Sequence, residues 1–239
     1  MKNPSLLELL EAGVHFGHQT SRWHPKMKPY LYGQRGGVHI IDLEKTQAKL
    51  TETLAAVADL AAAGKTILFV TTKPQAAEIV KQAALSCGMP YVVDRWIGGL
   101  FTNFTEIKRM ITRYVSLKEQ QVNGDLEKYT KKERLDIAKE LTKKDLSLAG
   151  LSALKTMPEV LFAPALQCEK AAVTEARATK VTVIGIADSN ANPEQADFAI
   201  PGNDDAVKAI KILVNLVAEA INEGKARPPA VAVVEQTNQ

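Results

Sequence analysis

The chain has 239 residues, 46% of them hydrophobic and 24% charged, with a formal net charge of +3. That composition can fill a sizeable globular core, and its small positive excess excludes a globally cationic binder, so any surface for a polyanion must be local. Two isolated cysteines, Cys87 and Cys168, give no CxxC pair; cysteine-based zinc sites and thioredoxin chemistry have no support, and a reducing cytoplasm is the expected setting.

The start, MKNPSLLELLEAG, is too short and too acidic for a signal peptide, and no apolar run approaches a membrane span. A soluble cytoplasmic protein is expected. Ser5 and Glu8 stand at capping-box spacing before a short helix to Ala12, with Leu6, Leu9 and Leu10 on one face. Residues 13–38, GVHFGHQTSRWHPKMKPYLYGQRGGV, then carry three histidines, four Arg/Lys and no acid. Phe16, Trp23, Tyr30 and Tyr32 sit among those cations, and glycines and prolines break any helical or strand period. An irregular loop is predicted. Its chemistry fits a polyanion with flat bases: cations neutralise phosphates, rings stack, and glycines let backbones approach.

His39–Asp42 reads as a short strand. A helix follows on Leu43, Gln47, Leu50, Leu54, Val57 and Ala61, ended by Gly64. Strand and helix then alternate: strands at 66–72, 91–94, 159–163 and 182–187, an edge strand at 197–200, and helices at 74–86 and 169–178. A last helix is expected from Asp204 to Glu223, with Asp204 and Asp205 favourably placed at its positive end. This alternation argues for an α/β sheet. Residues 104–149 interrupt it with two helical stripes, Ile107/Ile111/Tyr114/Leu117 and Leu135/Ala138/Leu141/Leu148, around an Asn123-Gly124 turn. They predict a projecting helical hairpin whose Lys131-Lys132 and Lys143-Lys144 could reach phosphate. The segments expected are 1–38 (helix and basic loop), 39–103 with 150–225 (sheet domain), 104–149 (hairpin) and 226–239 (flexible tail).

Enzyme motifs fail. Gly64-Lys65-Thr66 lacks its first glycine, since Asp59 stands there, and lies on the wrong side of a strand for a phosphate loop. No GxGxxG or GxSxG is present. His15 and His18 have HxxH spacing but no third ligand at a recognisable distance, so hydrogen bonding to RNA or backbone is preferred to zinc. Asp188 follows a strand end and reads as a turn residue. An α/β enzyme would need Lys73, Asp94 and Asp188 to converge on a pocket. The run Asp94–Phe104 places Arg95 and Trp96 before a glycine pair. Two readings stay open there: contacts to phosphate and base, or a packed Trp with Arg95 paired to an acid.

GVHFGHQT, then WHPKMKPYLYGQRGGVHIIDLEKT, ILFVTTK, RWIGGLFTNF and IPGNDDA resemble bacterial ribosomal protein S-two, across about Leu6 to Gly224. The resemblance implies a doubly wound, mainly parallel, flavodoxin-like α/β sheet with an inserted helical hairpin. It implies a structural constituent of the small ribosomal subunit, seated between head and body, that binds small-subunit ribosomal RNA and helps recruit ribosomal protein S-one. Carried over as RNA-facing are His15, Gly17, His18, Arg22, Trp23, Lys26 and Lys28, with Arg35, Lys73, Arg95, Asn103, Lys108 and Arg109. Phe16, Trp96, Gly98 and Gly99 are carried over as structural anchors, and Gly98→Val is expected to damage assembly through backbone clash. No catalysis, cofactor, metal, membrane or homo-oligomer is expected, and the ribosome in the cytoplasm is the expected location. One loop departs from the family pattern: Pro164–Glu169 stands where an aspartate and a histidine are usual.

Overall fold

A computed structural model describes residues 4–128 and 130–227, with backbone alone for Glu127 and Lys128. Of the tail expected over 226–239, Ala226 ends the last helix, and residues 228–239 lie outside the described residues.

Ile67–Val70 (β4), Val160–Ala163 (β6) and Thr182–Ala187 (β7) are almost wholly buried apolar runs, as strands must be when helices cover both faces. With Tyr91–Val92 (β5) and Phe198–Pro201 (β8) they form a parallel sheet in the order β5-β4-β6-β7-β8. Counted along the chain this is 2-1-3-4-5, the flavodoxin-like order, with its reversal between β4 and β6. Side chains alternate between two cores. Ile67, Phe69, Phe162, Ile184 and Ile200 pack under helices Leu43–Ala62 (α2), Pro74–Ser86 (α3) and Val207–Ala226 (α7). Leu68, Val70, Leu161 and Val183 pack with helix Lys170–Ala178 (α6) and the hairpin Phe104–Asn123 (α4) and Lys131–Leu148 (α5).

The hairpin is present as predicted, with Gly124 left-handed at φ +79 where α4 ends. Ile107, Ile111, Tyr114, Leu141 and Leu148 are buried, and Tyr114 donates its hydroxyl to Asp145 across the pair. Leu135, placed on the second stripe by spacing, is instead 56% exposed. Leu6–Glu11 (α1) has its Ser5–Glu8 capping box. Of its predicted apolar face only Leu9 is buried.

The largest difference from the sequence reading lies in residues 13–38. They are not irregular: Phe16–Gln19 (β1) and Leu31–Arg35 (β2) flank Val38–Ile41 (β3) in an antiparallel sheet ordered β1-β3-β2. Most of their side chains are exposed, so no apolar alternation announces them, and β1 and β2 each pair with β3 through a register shift. The last helix also begins later than expected, at Val207. Asn203 Oδ1 accepts from the Asp205 and Ala206 amides at 2.8 and 3.1 Å, so the two aspartates lie in the turn before it.

Two glycines mark where backbones meet without room for a side chain. A Cβ on Gly224 of α7 would lie 2.2 Å from the Ala58 carbonyl of α2, and one on Gly150 would lie 2.2 Å from the carbonyl of Tyr91 in β5. Gly224→Val is expected to lower stability by about 3 kcal/mol, the upper end of overpacking costs. Gly33→Ala, where nothing lies within 4 Å of the added carbon, should stay within about 0.5 kcal/mol. Urea denaturation of the two variants measures both.

Candidate nucleic-acid interface

The basic N-terminal sheet is strapped to the carboxyl ends of β7 and β8. Ser189, just past β7, accepts from the His18 amide on its Oγ at 2.7 Å and from the His24 amide on its carbonyl at 2.7 Å. Asn203, just past β8, donates its amide N–H to the Val14 carbonyl at 3.0 Å and its side-chain N–H to the Gly13 carbonyl at 3.0 Å. Gly17 is required by this approach: a Cβ there would stand 2.8 Å from Ser189 Oγ and 3.1 Å from the His39 carbonyl. The segment is held from beneath by Met27, which is fully buried in the second core.

A charged junction forms at the same seam. His18 Nδ1 lies 3.1 Å from Asp188 Oδ1 and its Nε2 lies 3.2 Å from Asp205 Oδ2. Lys73, entering α3 from the end of β4, places its ammonium 2.6 Å from Asp204 Oδ1 and 2.8 Å from Asp205 Oδ1. The hydrogen bond to Asp188 raises the His18 imidazole above its ordinary value, over the opposing effect of burial. Burial works to lower the Lys73 ammonium, but Asp204 and Asp205 outweigh it and hold it above its ordinary value. Burial, then the Asp188 charge, push Asp204 up to about 6 against the pull of Lys73. Its Oδ2 is buried with no hydrogen-bond partner. One ligand atom each from His18, Asp188 and Asp204 lies within 4.8 Å of the others, a group able to share a cation. The HxxH spacing pointed elsewhere. His15 is not in that group; burial lowers its pKa, its Nδ1 is unpartnered, and its ring lies 4.0 Å from that of Phe16.

The crevice at the strand-order reversal, where doubly wound folds bind ligands, is filled by the chain itself. Glu169, 2% exposed, accepts from the Thr72 amide at 2.5 Å and the Thr72 hydroxyl at 3.0 Å. It belongs to the loop that departs from the family pattern. Lys73 and Asp188 do meet the same junction, while Asp94 is exposed.

The sequence profile of the family described as Ribosomal protein S2 matches residues 9–224. The chain belongs to the Ribosomal protein S2 family. Its similar relatives include the small ribosomal subunit protein uS2 of Geotalea uraniireducens, 47% identical over 224 residues, which are 94% of this chain and 88% of the relative. That of Bdellovibrio bacteriovorus is 47% identical over 94% of this chain and 72% of its own, and that of Aliarcobacter butzleri 46% identical over 93% and 84%. The Ribosomal protein S2 family consists of structural, non-enzymatic proteins.

The residues carried over by family resemblance divide by what already holds them. His18, Lys73 and Gly17 are engaged within the chain, and Lys73 is only 12% exposed, so its ammonium faces carboxylates and not solvent. Lys26 pairs with Glu194, and Arg109 with Glu106 at 2.6 Å, both among well-exposed groups that a phosphate can displace. Arg22, Lys28, Arg35, Arg95 and Lys108 are exposed with no acidic partner among the described residues. Trp23 is 36% exposed and leans on His39 at 5.3 Å, and Tyr32 is 83% exposed. One anchor needs correction. Phe16 is 51% exposed, since it sits on the outer face of β1. Gly98 has only Glu175 Oε1 near its would-be Cβ, at 3.8 Å, so a clash caused by Gly98→Val has to come from a partner outside the chain. Gly99 is the constrained member of the pair, at φ +92. Trp96 does pack against the second core.

The chain's acid–base chemistry makes a test of the seam. A raised His18 contributes stability that is full below its unfolded value, near 6.5, and lost as pH rises through the folded value. With a chelator present, wild type should therefore exceed His18→Gln in stability at pH 6, and the gap should close in alkaline buffer. Asp188→Asn should bring the imidazole midpoint, followed by NMR, down toward its ordinary value.

Proposed function

We propose that this chain is a structural constituent of the small ribosomal subunit and that it binds folded small-subunit ribosomal RNA through its N-terminal sheet and the loop before the hairpin. The observation that carries the reading is membership of the Ribosomal protein S2 family over residues 9–224. Local chemistry supports it. Arg22 and Lys28 in the connection between β1 and β2, Arg35 at the end of β2, and Arg95 and Lys108 around the loop are free to neutralise phosphates, while Tyr32 offers a face for stacking. These contacts suit readout of shape and backbone. The hairpin, with Lys131, Lys132 and Lys143 exposed, provides a second point of attachment, so two modest contacts act at high effective concentration.

The rest of the reading follows family resemblance: a seat between head and body, neighbouring small-subunit proteins as partners, help in recruiting ribosomal protein S-one, and residence on cytoplasmic ribosomes as a single copy.

Cosedimentation with small subunits lacking their own S2 protein tests the proposal. Replacing Arg22, Lys28 and Arg35 together by Ala should weaken binding and flatten its log–log salt dependence by about 0.7–0.9 for each phosphate no longer neutralised, with the fold unchanged by circular dichroism. Undiminished binding with the same slope would remove the N-terminal sheet from the mechanism.

A further inference from the structure

The loop between β5 and α4 is organised by one carboxylate from another element. Glu175, on α6, accepts from Gly99 N at 2.9 Å and Trp96 Nε1 at 3.1 Å on its Oε1. Its Oε2 accepts from Gly99 N at 3.1 Å and, at a longer 3.4 Å, from Phe101 N and the Thr102 hydroxyl. No cation pairs with Glu175 among the described residues; the negative charge is held by neutral donors of this one loop. Such a carboxylate is a strong acceptor, and four donors converging on it leave the loop few alternative shapes. Burial raises its pKa, but the Gly99 amide and Trp96 indole more than offset that and set it below the usual carboxylate range.

The contacts also decide what the loop shows outward. Leu100 and Phe101 go into the core, and the Trp96 and Phe101 rings lie 5.6 Å apart beneath the loop. Arg95 and Asn103, at its two ends, are exposed. Asn103 stands at the N-cap of α4 but makes no side-chain cap bond, so its amide is free for an outside partner. The Gly99 and Phe101 amides, which in an open glycine loop would be available to an anion, point inward to Glu175.

We infer that Glu175 is the positioning residue of the RNA-facing loop: it touches no RNA, and it fixes the spacing and direction in which Arg95 and Asn103 are presented. This rests on the RNA-binding reading above. A carboxamide at 175 keeps one acceptor oxygen but loses the second, so it holds the loop in part. An alanine leaves Trp96, Gly99 and Thr102 without their partner and lets the loop relax.

A double-mutant cycle on full-length protein tests it, with binding to S2-depleted small subunits as readout and urea denaturation run in parallel. Arg95→Ala in the wild-type background should weaken binding. In the Glu175→Ala background the same change should matter about tenfold less, a coupling within the range for residues joined through shared backbone. Glu175→Gln should fall between, and hydrogen exchange at the Gly99 amide should quicken in the order wild type, Gln, Ala. A general loss of stability would lower binding without coupling the two sites. Equal effects of Arg95→Ala in both backgrounds would overturn the inference and leave RNA binding standing. No effect of Arg95→Ala in the wild-type background would instead strike at the RNA reading of this loop. Should Glu175→Ala fail to fold, the Gln variant carries the cycle, with a smaller expected coupling.

Discussion

The contacts of His18 with Asp188 and Asp205 carry charge across the join between the two sheets, and the ion pair between Lys73 and Asp204 stands behind them at the ends of the parallel strands. The pair lies where β4 and β8 end, with Asp204 1% exposed, and it draws in Asp205, Asp188 and His18. Taking two charges out of water is costly, so the pair need not add net stability compared with an apolar one. Deleting a single partner is another matter, since it strands a buried charge at about 3–5 kcal/mol. A slipped N-terminal sheet would separate His18 from Asp188 and Asp205 and leave the Asp188 carboxylate buried without its imidazole. The Ser189 and Asn203 bonds give that seam its register, and Gly17 gives it the necessary closeness.

This arrangement explains how a chain of net charge +3 can leave several exposed cations without acidic partners. Acids are placed where they meet the chain's own donors: Asp188, Asp204 and Asp205 at the seam, Glu169 in the crevice, Glu175 under the loop. Arg22, Lys28, Arg35, Arg95 and Lys108 are left without such company among the described residues. The same economy closes the crevice that a doubly wound sheet usually offers to a ligand. Glu169 and Lys73 fill it with bonds to their neighbours.

The sheet and the hairpin are legible in the sequence because both are written in hydrophobic period. Runs such as ILFV and TVIGIA can only be strands covered on both faces, and Ile107, Ile111 and Tyr114 fall on one helical stripe. Of the N-terminal strands, β3 is legible but β1 and β2 escape that reading: most of their side chains face solvent, and glycines and prolines mask the alternation. The junction escapes for a different reason. Asp188, Asp204 and Lys73 come from three strand ends far apart in sequence, and only the crossover order of the sheet brings them together. Asp188 reads as a turn residue, which it also is, since it accepts from the Ser189 amide. Glu175 carries no local signal at all; a single acid on an amphipathic helix looks like any solvated residue until the loop folds over it.

The two rims of the parallel sheet have a consequence for how copies of this chain behave toward each other. One rim strand, β5, is two residues long, and the backbone at Gly150 comes so near its Tyr91 carbonyl that no side chain fits between them. The other, β8, ends in Pro201, which has no N–H to give and whose carbonyl already accepts the Thr46 hydroxyl at 2.8 Å. Neither rim offers a run of open backbone groups on which another strand could zip. The parallel sheet thus offers a newly made chain little template for misassociation through strand addition.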